Sequence, residues 1–217
     1  MVADGLRRVQ RRAAAAATRA GRDPAEIVLV AVSKTVGPAE IMEAYNMGHR
    51  DFGENRSHEL AAKAQSLPDD INWHFVGTIQ SRKAKEVAHY AAVVHSIDHE
   101  SLLRAWAKTG SSADLLLQIN LAGEAQKHGT EPAAASQMLT EAAALGLAFS
   151  GLMVFPPLAP DPESNRVWFR KLREMRGELQ PEYPSLVDLS MGMTDDFEVA
   201  IEEGATLIRV GRAIFGT

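Results

Sequence analysis

The sequence predicts one domain over residues 1–217, a single (β/α)8 barrel with an extra helix before the first strand. Three observations support this prediction. Short apolar runs alternate with helix-like stretches, there are eight such runs, and neither a repeat nor a linker divides the chain. Alternating elements favour parallel strands joined by crossover helices, and eight parallel strands close a barrel. A doubly wound open sheet is the alternative with the same alternation.

The predicted elements follow one another in a regular order. The eight strands are short and apolar, and they are predicted at 27–32, 50–53, 73–77, 93–97, 114–119, 147–152, 186–190 and 206–210. The helices between them are predicted near 38–47, 55–66, 82–91, 99–108, 131–144, 162–179 and 195–203. First-turn prolines, N-capping aspartates and C-terminal glycines mark the helix ends, at Pro38, Pro132, Asp98, Asp161, Gly48, Gly110, Gly146 and Gly204.

The segment 6–21, LRRVQRRAAAAATRAG, precedes the first strand and is rich in Arg and Ala. Both residue types favour helix, and Gly21 suits the end of one. Four arginines at spacings of three and four share one helix face: Arg7, Arg8, Arg11 and Arg12. The pattern predicts a solvated surface helix, with a targeting or membrane-surface segment as the alternative.

The composition excludes several classes of protein. The net charge of −5 argues against a nucleic-acid binder, which usually carries a basic face. The chain has no cysteine, so disulfides and thiolate metal sites are excluded. No apolar stretch approaches the roughly 20 residues that span a bilayer. We therefore expect a cytoplasmic monomer with no nucleic-acid or membrane partner.

A lysine follows the first predicted strand. In the segment 28–37, VLVAVSKTVG, the apolar run ends at Val32 and Lys34 comes two residues later, before a Gly-Pro break. A lysine that keeps a strand end soluble is the ordinary explanation. In a barrel, however, the C-terminal strand ends form the mouth in which ligands bind. The neutral amine of a lysine there is a nucleophile that can form a Schiff base with an aldehyde.

Glycine-rich turns follow strands seven and eight, where barrels often bind phosphate. The segment DLSMGMTDD offers the hydroxyl group of Ser190 and the backbone amide of Met191 beside a glycine. The segment RVGRAIFG offers a close backbone approach at Gly211, and then the amide and the cation of Arg212 at the start of a short helix. We expect these residues to bind an anion across the mouth from Lys34.

Arg209 interrupts the apolar run TLIRVG close to the end of the eighth strand. A charge at such a position is costly unless it is paired. Arg209 therefore points either outward between helices or inward at an acceptor atom of a ligand. If it points inward, a Schiff-base lysine, a phosphate site and an arginine near a ring nitrogen together describe pyridoxal phosphate bound in a barrel.

Several motifs resemble the pyridoxal phosphate homeostasis protein family. In chain order they are VAVSKT, DFGEN, WHFVGTIQSRK, GLM and LSMGMTDDFEVAIEEGATLIRVGRAIFG. The segment NLAGEAQKHG, with Glu124, Lys127 and Gly129, is similar to the family's loop after strand five. The resemblance implies a barrel related to the N-terminal domain of bacterial alanine racemase, in a protein that handles and buffers the cofactor.

The resemblance also implies roles for individual residues. Lys34 would carry the cofactor as a Schiff base, Arg209 would face the pyridine nitrogen, and Asn55 would line the cofactor near its ring. The phosphate would be held by Ser190, Met191, Gly211 and Arg212. Two residues depart from the family's usual pattern, because Arg56 and Arg82 stand where tyrosine and asparagine are common.

Other polar residues are assigned more ordinary roles. His74, inside the third predicted strand, is either a hydrogen-bonded core histidine or an inward-facing residue beneath the cofactor. The histidines show no spacing typical of a metal site, so no metal is expected. Carboxylates favour the first turn of a helix, and three are interpreted there as structural: Asp195, Asp196 and Glu198.

Three functions remain open. The first is a protein that holds pyridoxal phosphate reversibly and passes it to recipient apo-enzymes, with no catalytic residue assigned. The second is a cofactor-dependent amino-acid racemase, which needs an acid and a base on opposite faces of the substrate Cα. Lys34 can serve one face, but the tyrosines are predicted away from strand ends, at Tyr45, Tyr90 and Tyr183. The third is an adaptor whose barrel binds a protein.

Overall fold

The computed structural model describes residues 1–124 and 128–216 of the chain. Eight parallel strands, β1 to β8, form one closed barrel in which each strand pairs with its neighbours in sequence and β8 pairs with β1. Helices connect the strands on the outside. The predicted (β/α)8 barrel with an extra N-terminal helix is therefore confirmed, and the open-sheet alternative is excluded by the pairing of β1 with β8.

The strands are β1 Val28–Val32, β2 Asp51–Glu54, β3 Asn72–Phe75, β4 Val93–Ile97, β5 Asp114–Ile119, β6 Phe149–Val154, β7 Asp188–Ser190 and β8 Leu207–Val210. The α-helices are α1 Val2–Arg19, α2 Pro38–Tyr45, α3 Ser57–Ser66, α4 Ala84–Ala88, α5 Glu100–Ala107, α6 Ala135–Ala144, α7 Arg166–Leu179, α8 Phe197–Glu202 and α9 Arg212–Phe215. Short 3₁₀ helices lie at Pro24–Glu26, Ser81–Lys83, Pro132–Ala134 and Pro162–Asn165.

Four strand boundaries differ from the sequence prediction by two residues: the end of the third strand, both ends of the sixth and the start of the seventh. The third strand ends at Phe75 because Gly77 packs on the backbone of the β2 loop, where an added Cβ would lie 2.1 Å from the carbonyl oxygen of Asn55. The sixth strand begins at Phe149, which is the first residue to pair with β5. The seventh strand begins late because Leu186 closes a turn with Tyr183.

The predicted helix ends are largely observed. The four C-terminal glycines have φ between 68° and 104°, in the left-handed region. The side chain of Asp161 accepts a hydrogen bond from the amide of Glu163, as expected of an N-cap. The prediction for Asp98 was wrong, because the extended residue before α5 is His99. The carboxylate of Asp98 instead lies 2.5 Å from Nδ1 of His99.

Two apolar clusters hold the barrel together. A small cluster inside it contains one residue from each of four strands: Val30, Leu116, Met153 and Leu207. A much larger cluster lies between the outer face of the sheet and the helices. The rest of the described interior is polar, because side chains from β3, β4, β7 and β8 lie there and contact one another.

The N-terminal helix α1 covers the outside of the barrel near its closure, where it packs against α2, α8 and α9. Its buried face is formed by Val2, Gly5, Leu6, Val9, Ala13, Ala16 and Ala17. Two arginines of the face that was predicted to be solvated donate hydrogen bonds to other parts of the protein. Arg12 donates to the carboxylate of Glu198, and Arg8 donates to the carbonyl oxygen of Ala213. No described helix has the length and apolar character that a membrane span requires.

A network of ion pairs joins α7 to the C-terminal end of α8. The carboxylate of Glu203 is 6% exposed and contacts three arginines of α7: Arg166 at 3.2 Å, Arg170 at 3.0 Å and Arg173 at 3.2 Å. Burial alone would raise the pKa of Glu203, but the hydrogen bonds from Arg170 and Arg166 outweigh burial and lower it. A carboxylate with a lowered pKa in the folded state stabilises the fold above its unfolded pKa and loses this effect in acid.

We expect Glu203→Gln to lower the free energy of unfolding at pH 7 by about 2–3 kcal/mol, because charge-assisted hydrogen bonds of a buried carboxylate are lost. The gap to wild type should shrink as the pH falls below about 4 and Glu203 itself becomes protonated. The control is Glu198→Gln in α8. In the described part of the chain Glu198 is paired with Arg12, and its substitution should lower the free energy of unfolding by less than about 1 kcal/mol. Urea titrations at several pH values measure both. Equal losses, or a gap that does not change with pH, would contradict the expectation.

Candidate ligand site at the mouth of the barrel

Lys34 lies at the C-terminal end of β1, two residues beyond Val32, and its side chain is exposed at the mouth. The turn that carries it spans residues 33–36, and the amide of Val36 closes it on the carbonyl oxygen of Ser33 at 2.9 Å. Thr35 has φ of 62°, in the left-handed region that a β-branched residue rarely adopts. Such a conformation costs about 1–3 kcal/mol and persists only where the surroundings impose it.

Two contacts from α3 impose this turn. The carboxylate of Glu59 accepts a hydrogen bond from the amide of Thr35 at 3.1 Å. The ammonium group of Lys63 donates to the carbonyl oxygen of Ser33 at 2.7 Å. Lys63 is itself buried and paired with Glu54 at 2.5 Å, and Glu54 also accepts from the hydroxyl of Ser33. Lys34 therefore lies in a turn whose position is fixed by the buried ion pair of Lys63 and Glu54.

Arg209 points into the barrel, so the outward alternative is excluded. Its side chain donates to the hydroxyl oxygen of Ser190 at 2.5 Å and to the carbonyl oxygen of Val154 at 2.9 Å, and the guanidinium lies 4.6 Å from the ring centre of Phe155. The residue is 3% exposed, and burial lowers the pKa of Arg209 to about 10. Its Nε has no hydrogen-bond partner within the described part of the chain.

The barrel closure places β8, which carries Arg209 and the second phosphate turn, next to β1, so this turn lies on the strand neighbouring that of Lys34 rather than across the mouth as expected. In the pairing of β1 with β8, Arg209 is opposite Val30, and Lys34 follows four residues later on that neighbouring strand. The exposed amine and the buried guanidinium therefore project from adjacent strands at the same end of the barrel.

The two predicted phosphate turns lie beside each other at the ends of β7 and β8. Gly211 approaches β1 closely, since an added Cβ would lie 3.0 Å from the carbonyl oxygen of Val32. The amide of Met191 donates to the carbonyl oxygen of Leu207, so the sheet already uses it. The cation of Arg212, at the start of α9, is paired with Asp195, and both side chains are exposed. An anion at these turns would therefore compete with Asp195 for Arg212.

Asn55 follows β2 and lines a cavity of about 370 Å³ between the first turns of α3 and α4, and neither Lys34 nor Arg209 lines this cavity. Its Oδ1 is buried without a hydrogen-bond partner in the described residues. The two arginines that depart from the family pattern lie nearby on the rim. Arg56 lines the same cavity and is paired with Glu59, and Arg82 donates to the side chain of Gln80.

A set of interior side chains was missed by the sequence analysis. His74 contacts His95 across β3 and β4, and His95 contacts Ser190 on β7. His74 also contacts Asp51 at the opposite end of the barrel. His74 is thus both hydrogen-bonded and inward-facing. Strand alternation marks His95 and Asp51 as inward positions, but no pattern in one sequence shows that β4 meets β7 across the interior.

Two further predictions concern the rim. Lys127 lies outside the described residues, while Asn120 of the same loop donates to the carbonyl oxygen of Glu124. Of the carboxylates after β7, Asp196 accepts from the amide of Met193 and from Asn165, but Asp195 and Asp196 precede α8 and only Glu198 lies in its first turn. Within residues 1–124 and 128–216, no group of three or more histidine, aspartate or glutamate side chains is arranged to hold a metal ion.

The fold and the mouth define a class of protein, a (β/α)8 barrel with a strand-end lysine beside a buried arginine and a pair of glycine-containing turns. Comparison with known proteins names the family. The chain is 43% identical to the pyridoxal phosphate homeostasis protein of Aquifex aeolicus, with 97% of this chain and 96% of the relative covered. The proteins of the same name from Pseudomonas aeruginosa and Escherichia coli are 38% and 37% identical, and each match covers 99% of this chain. The chain belongs to the pyridoxal phosphate homeostasis protein family.

Solved structures agree with this assignment. PipY of Synechococcus elongatus, solved with pyridoxal phosphate bound, matches with a TM-score of 0.85 and 35% identity over the whole of both chains. A protein of unknown function from Bifidobacterium adolescentis matches with a TM-score of 0.92 and 34% identity, over 99% of this chain and 94% of the other. Lysine decarboxylase of Selenomonas ruminantium, at 15% identity and a TM-score of 0.76, shares the fold over 61% of its length. No protein-family model matches the chain.

Proposed function

We propose that this protein binds pyridoxal phosphate at the barrel mouth, through a Schiff base to Lys34, and takes part in buffering and delivering the cofactor. The observation that carries the proposal is Arg209. Among the described residues its buried guanidinium has no carboxylate partner and its Nε donor is unused, which is costly unless a ligand supplies an acceptor. The relatives named as homeostasis proteins and the PipY complex with pyridoxal phosphate support the choice of ligand.

The residues fit the three functional groups of the cofactor. The exposed amine of Lys34 is available to the aldehyde. Arg209 offers donors to the ring nitrogen, and the unpaired Oδ1 of Asn55 offers an acceptor at the mouth. The phosphate is assigned to the ends of β7 and β8, at Ser190, Gly211 and Arg212, while Met191 lies in the same turn with its amide already used by the sheet. When bound, the cofactor supplies an electrophilic carbonyl carbon and an electron-withdrawing ring.

Several features favour a carrier over an enzyme. Lys34 is exposed, so another amine can reach the same carbon and take the cofactor away. Arg209 would keep a positive charge beside the ring nitrogen, which disfavours protonation of that nitrogen and so weakens the ring as an electron sink. We propose a cytoplasmic monomer whose recipients are apo-forms of pyridoxal-phosphate-dependent enzymes.

The proposal is tested by titrating the purified apo-protein with pyridoxal phosphate. A visible absorbance band that saturates at one equivalent and disappears on adding borohydride supports it. Incubation of the loaded protein with an apo-enzyme, with the carrier removed by affinity capture before assay, tests delivery. No band, or a band that free lysine reproduces at the same concentration, would refute cofactor binding.

Amino-acid racemisation is the second candidate, because the fold is shared with cofactor-dependent enzymes. The described structure places no tyrosine at the mouth. All three lie on the outside of the barrel, where Tyr45 bonds Asp70, Tyr90 bonds Gln65 and Tyr183 contacts Thr140. The acid for the second face of the substrate is therefore missing.

We expect no appreciable racemisation of alanine or serine by the loaded protein, because no tyrosine of the described residues lies at the mouth to serve the face opposite Lys34. The measurement is exchange of the Cα hydrogen with deuterated water, followed by chiral chromatography. Turnover above roughly 1 per second, near the low end of ordinary enzymes, would overturn the carrier proposal.

A further inference from the structure

Five side chains form a continuous line of hydrogen bonds through the inside of the barrel. We call them the interior chain: Arg209, Ser190, His95, His74 and Asp51. The successive distances are 2.5 Å from Arg209 to Ser190, 2.7 Å from Ser190 to His95, 3.0 Å between the histidines and 3.1 Å from His74 to Asp51. The line begins on β8 near the mouth and ends at the first residue of β2, at the opposite end of the barrel.

The two ends of the interior chain fix its direction. A guanidinium has only donors, and an ionised carboxylate has only acceptors. Burial alone would raise the pKa of Asp51, but hydrogen bonds from His74 and Asn72 outweigh it and lower the pKa, so Asp51 is ionised. With both imidazoles neutral, each group between Arg209 and Asp51 accepts on the side of Arg209 and donates on the side of Asp51.

This direction assigns a hydrogen to each middle group. The hydroxyl of Ser190 accepts from Arg209 and donates to Nδ1 of His95. Nε2 of His95 donates to Nδ1 of His74, and Nε2 of His74 donates to Asp51. Both imidazoles are neutral in this arrangement. That agrees with the burial of His95 between His74 and Arg209, which lowers the pKa of His95 well below its usual value.

We propose that His95 and Ser190 are positioning residues for Arg209, and that the hydroxyl hydrogen of Ser190 is directed at His95 rather than at a ligand phosphate. This inference rests on the proposed function and refines it. Ser190 stays at the phosphate end of the site, but its hydroxyl anchors one arm of the guanidinium while the carbonyl oxygen of Val154 anchors the other. The unused Nε of Arg209 is thereby held in place for a ring acceptor.

The role of Ser190 is tested by comparing pyridoxal phosphate with pyridoxal, which lacks the phosphate. A positioning role predicts that Ser190→Ala weakens both ligands by a similar factor of about ten, through the loss of one charge-assisted hydrogen bond to Arg209. A phosphate-binding role predicts that only pyridoxal phosphate is weakened. If Ser190 has the positioning role, the inhibition constant of inorganic phosphate as a competitor should be the same for wild type and for the variant.

Ser190→Thr keeps the hydroxyl and should restore most of the affinity, which separates positioning from a general loss of folding. His95→Gln should weaken both ligands as Ser190→Ala does, while melting curves show that the variants are folded. Loss confined to pyridoxal phosphate in Ser190→Ala, or full affinity in His95→Gln, would overturn the proposal.

The direction of the chain is measured without any ligand. Nitrogen NMR of the apo-protein with labelled histidine should show His95 and His74 protonated at Nε2 and bare at Nδ1, with His95→Gln and His74→Gln assigning the signals. If His74 carries two protons, the chain runs the other way and Nδ1 of His95 is protonated, which would refute the proposal. Because this experiment uses no cofactor, it separates failure of the inference from failure of the proposed function.

Discussion

Borohydride reduction of the loaded protein is expected to leave the pyridoxyl group mainly on Lys34. The exposed amine projects from the end of β1 beside Arg209, and its turn is fixed by Glu59 and Lys63. Lys34→Ala should lose the visible band and release the cofactor during gel filtration, since the covalent link is absent. Peptide mapping by mass spectrometry of the reduced wild type identifies the modified residue.

The matched control is Lys83→Ala. Lys83 lines the same cavity as Asn55, between α3 and α4, and it is paired with Glu86 at 2.6 Å. It is therefore a lysine near the site that is committed to a carboxylate. Lys83→Ala should keep the band and the modified peptide. Label found chiefly on a lysine other than Lys34 in wild type would defeat the assignment.

Arg209→Gln is expected to weaken cofactor binding by roughly one to two orders of magnitude. The substitution removes a charge-assisted hydrogen bond to the ring nitrogen, and such a bond contributes about 1.5–3 kcal/mol. Arg209→Glu should do more, because a carboxylate favours a protonated ring nitrogen and so shifts the absorbance of the bound cofactor and its pH dependence. Equilibrium titration with spectra at several pH values measures both effects.

Arg176→Gln provides the comparison for Arg209→Gln. Arg176 also donates to a backbone carbonyl, that of Val187 at 2.7 Å, and also has a buried Nε with no partner in the described residues, but it lies on α7 outside the barrel. This variant should change the melting temperature only modestly and leave cofactor affinity unchanged. Unaltered binding and spectra in a stably folded Arg209→Gln would remove Arg209 from the site.

The fold could be predicted from sequence because each strand and helix of the barrel is specified mainly by the residues within its own segment. An apolar run such as 114–119 between polar turns specifies a buried parallel strand, and its observed bounds agree with the prediction. The errors lie at element ends, where a contact from elsewhere decides. The third strand stops early because Gly77 meets the backbone of Asn55, and no pattern within the segment 73–77 contains that contact.

The site was only partly predictable for the same reason. Lys34 and Arg209 stood out because charges at strand ends are unusual, so each could be recognised alone. The partners that hold them could not. Lys63 lies on an ordinary-looking helix, and the contact of His95 with Ser190 depends on how the barrel brings distant strands together.

The closure of the barrel has a consequence for the order of events during synthesis. β1 and β8 pair directly although Val30 and Arg209 are far apart in sequence, and contacts of this kind form late because a long loop must close first. A nascent chain that still lacks β8 exposes Lys34 without Arg209 or the second phosphate turn. If the proposed site is correct, the cofactor can load only after translation has delivered the last strand, and it then favours the closed state by mass action. The fraction of protein that binds the cofactor would therefore report the fraction that has completed folding.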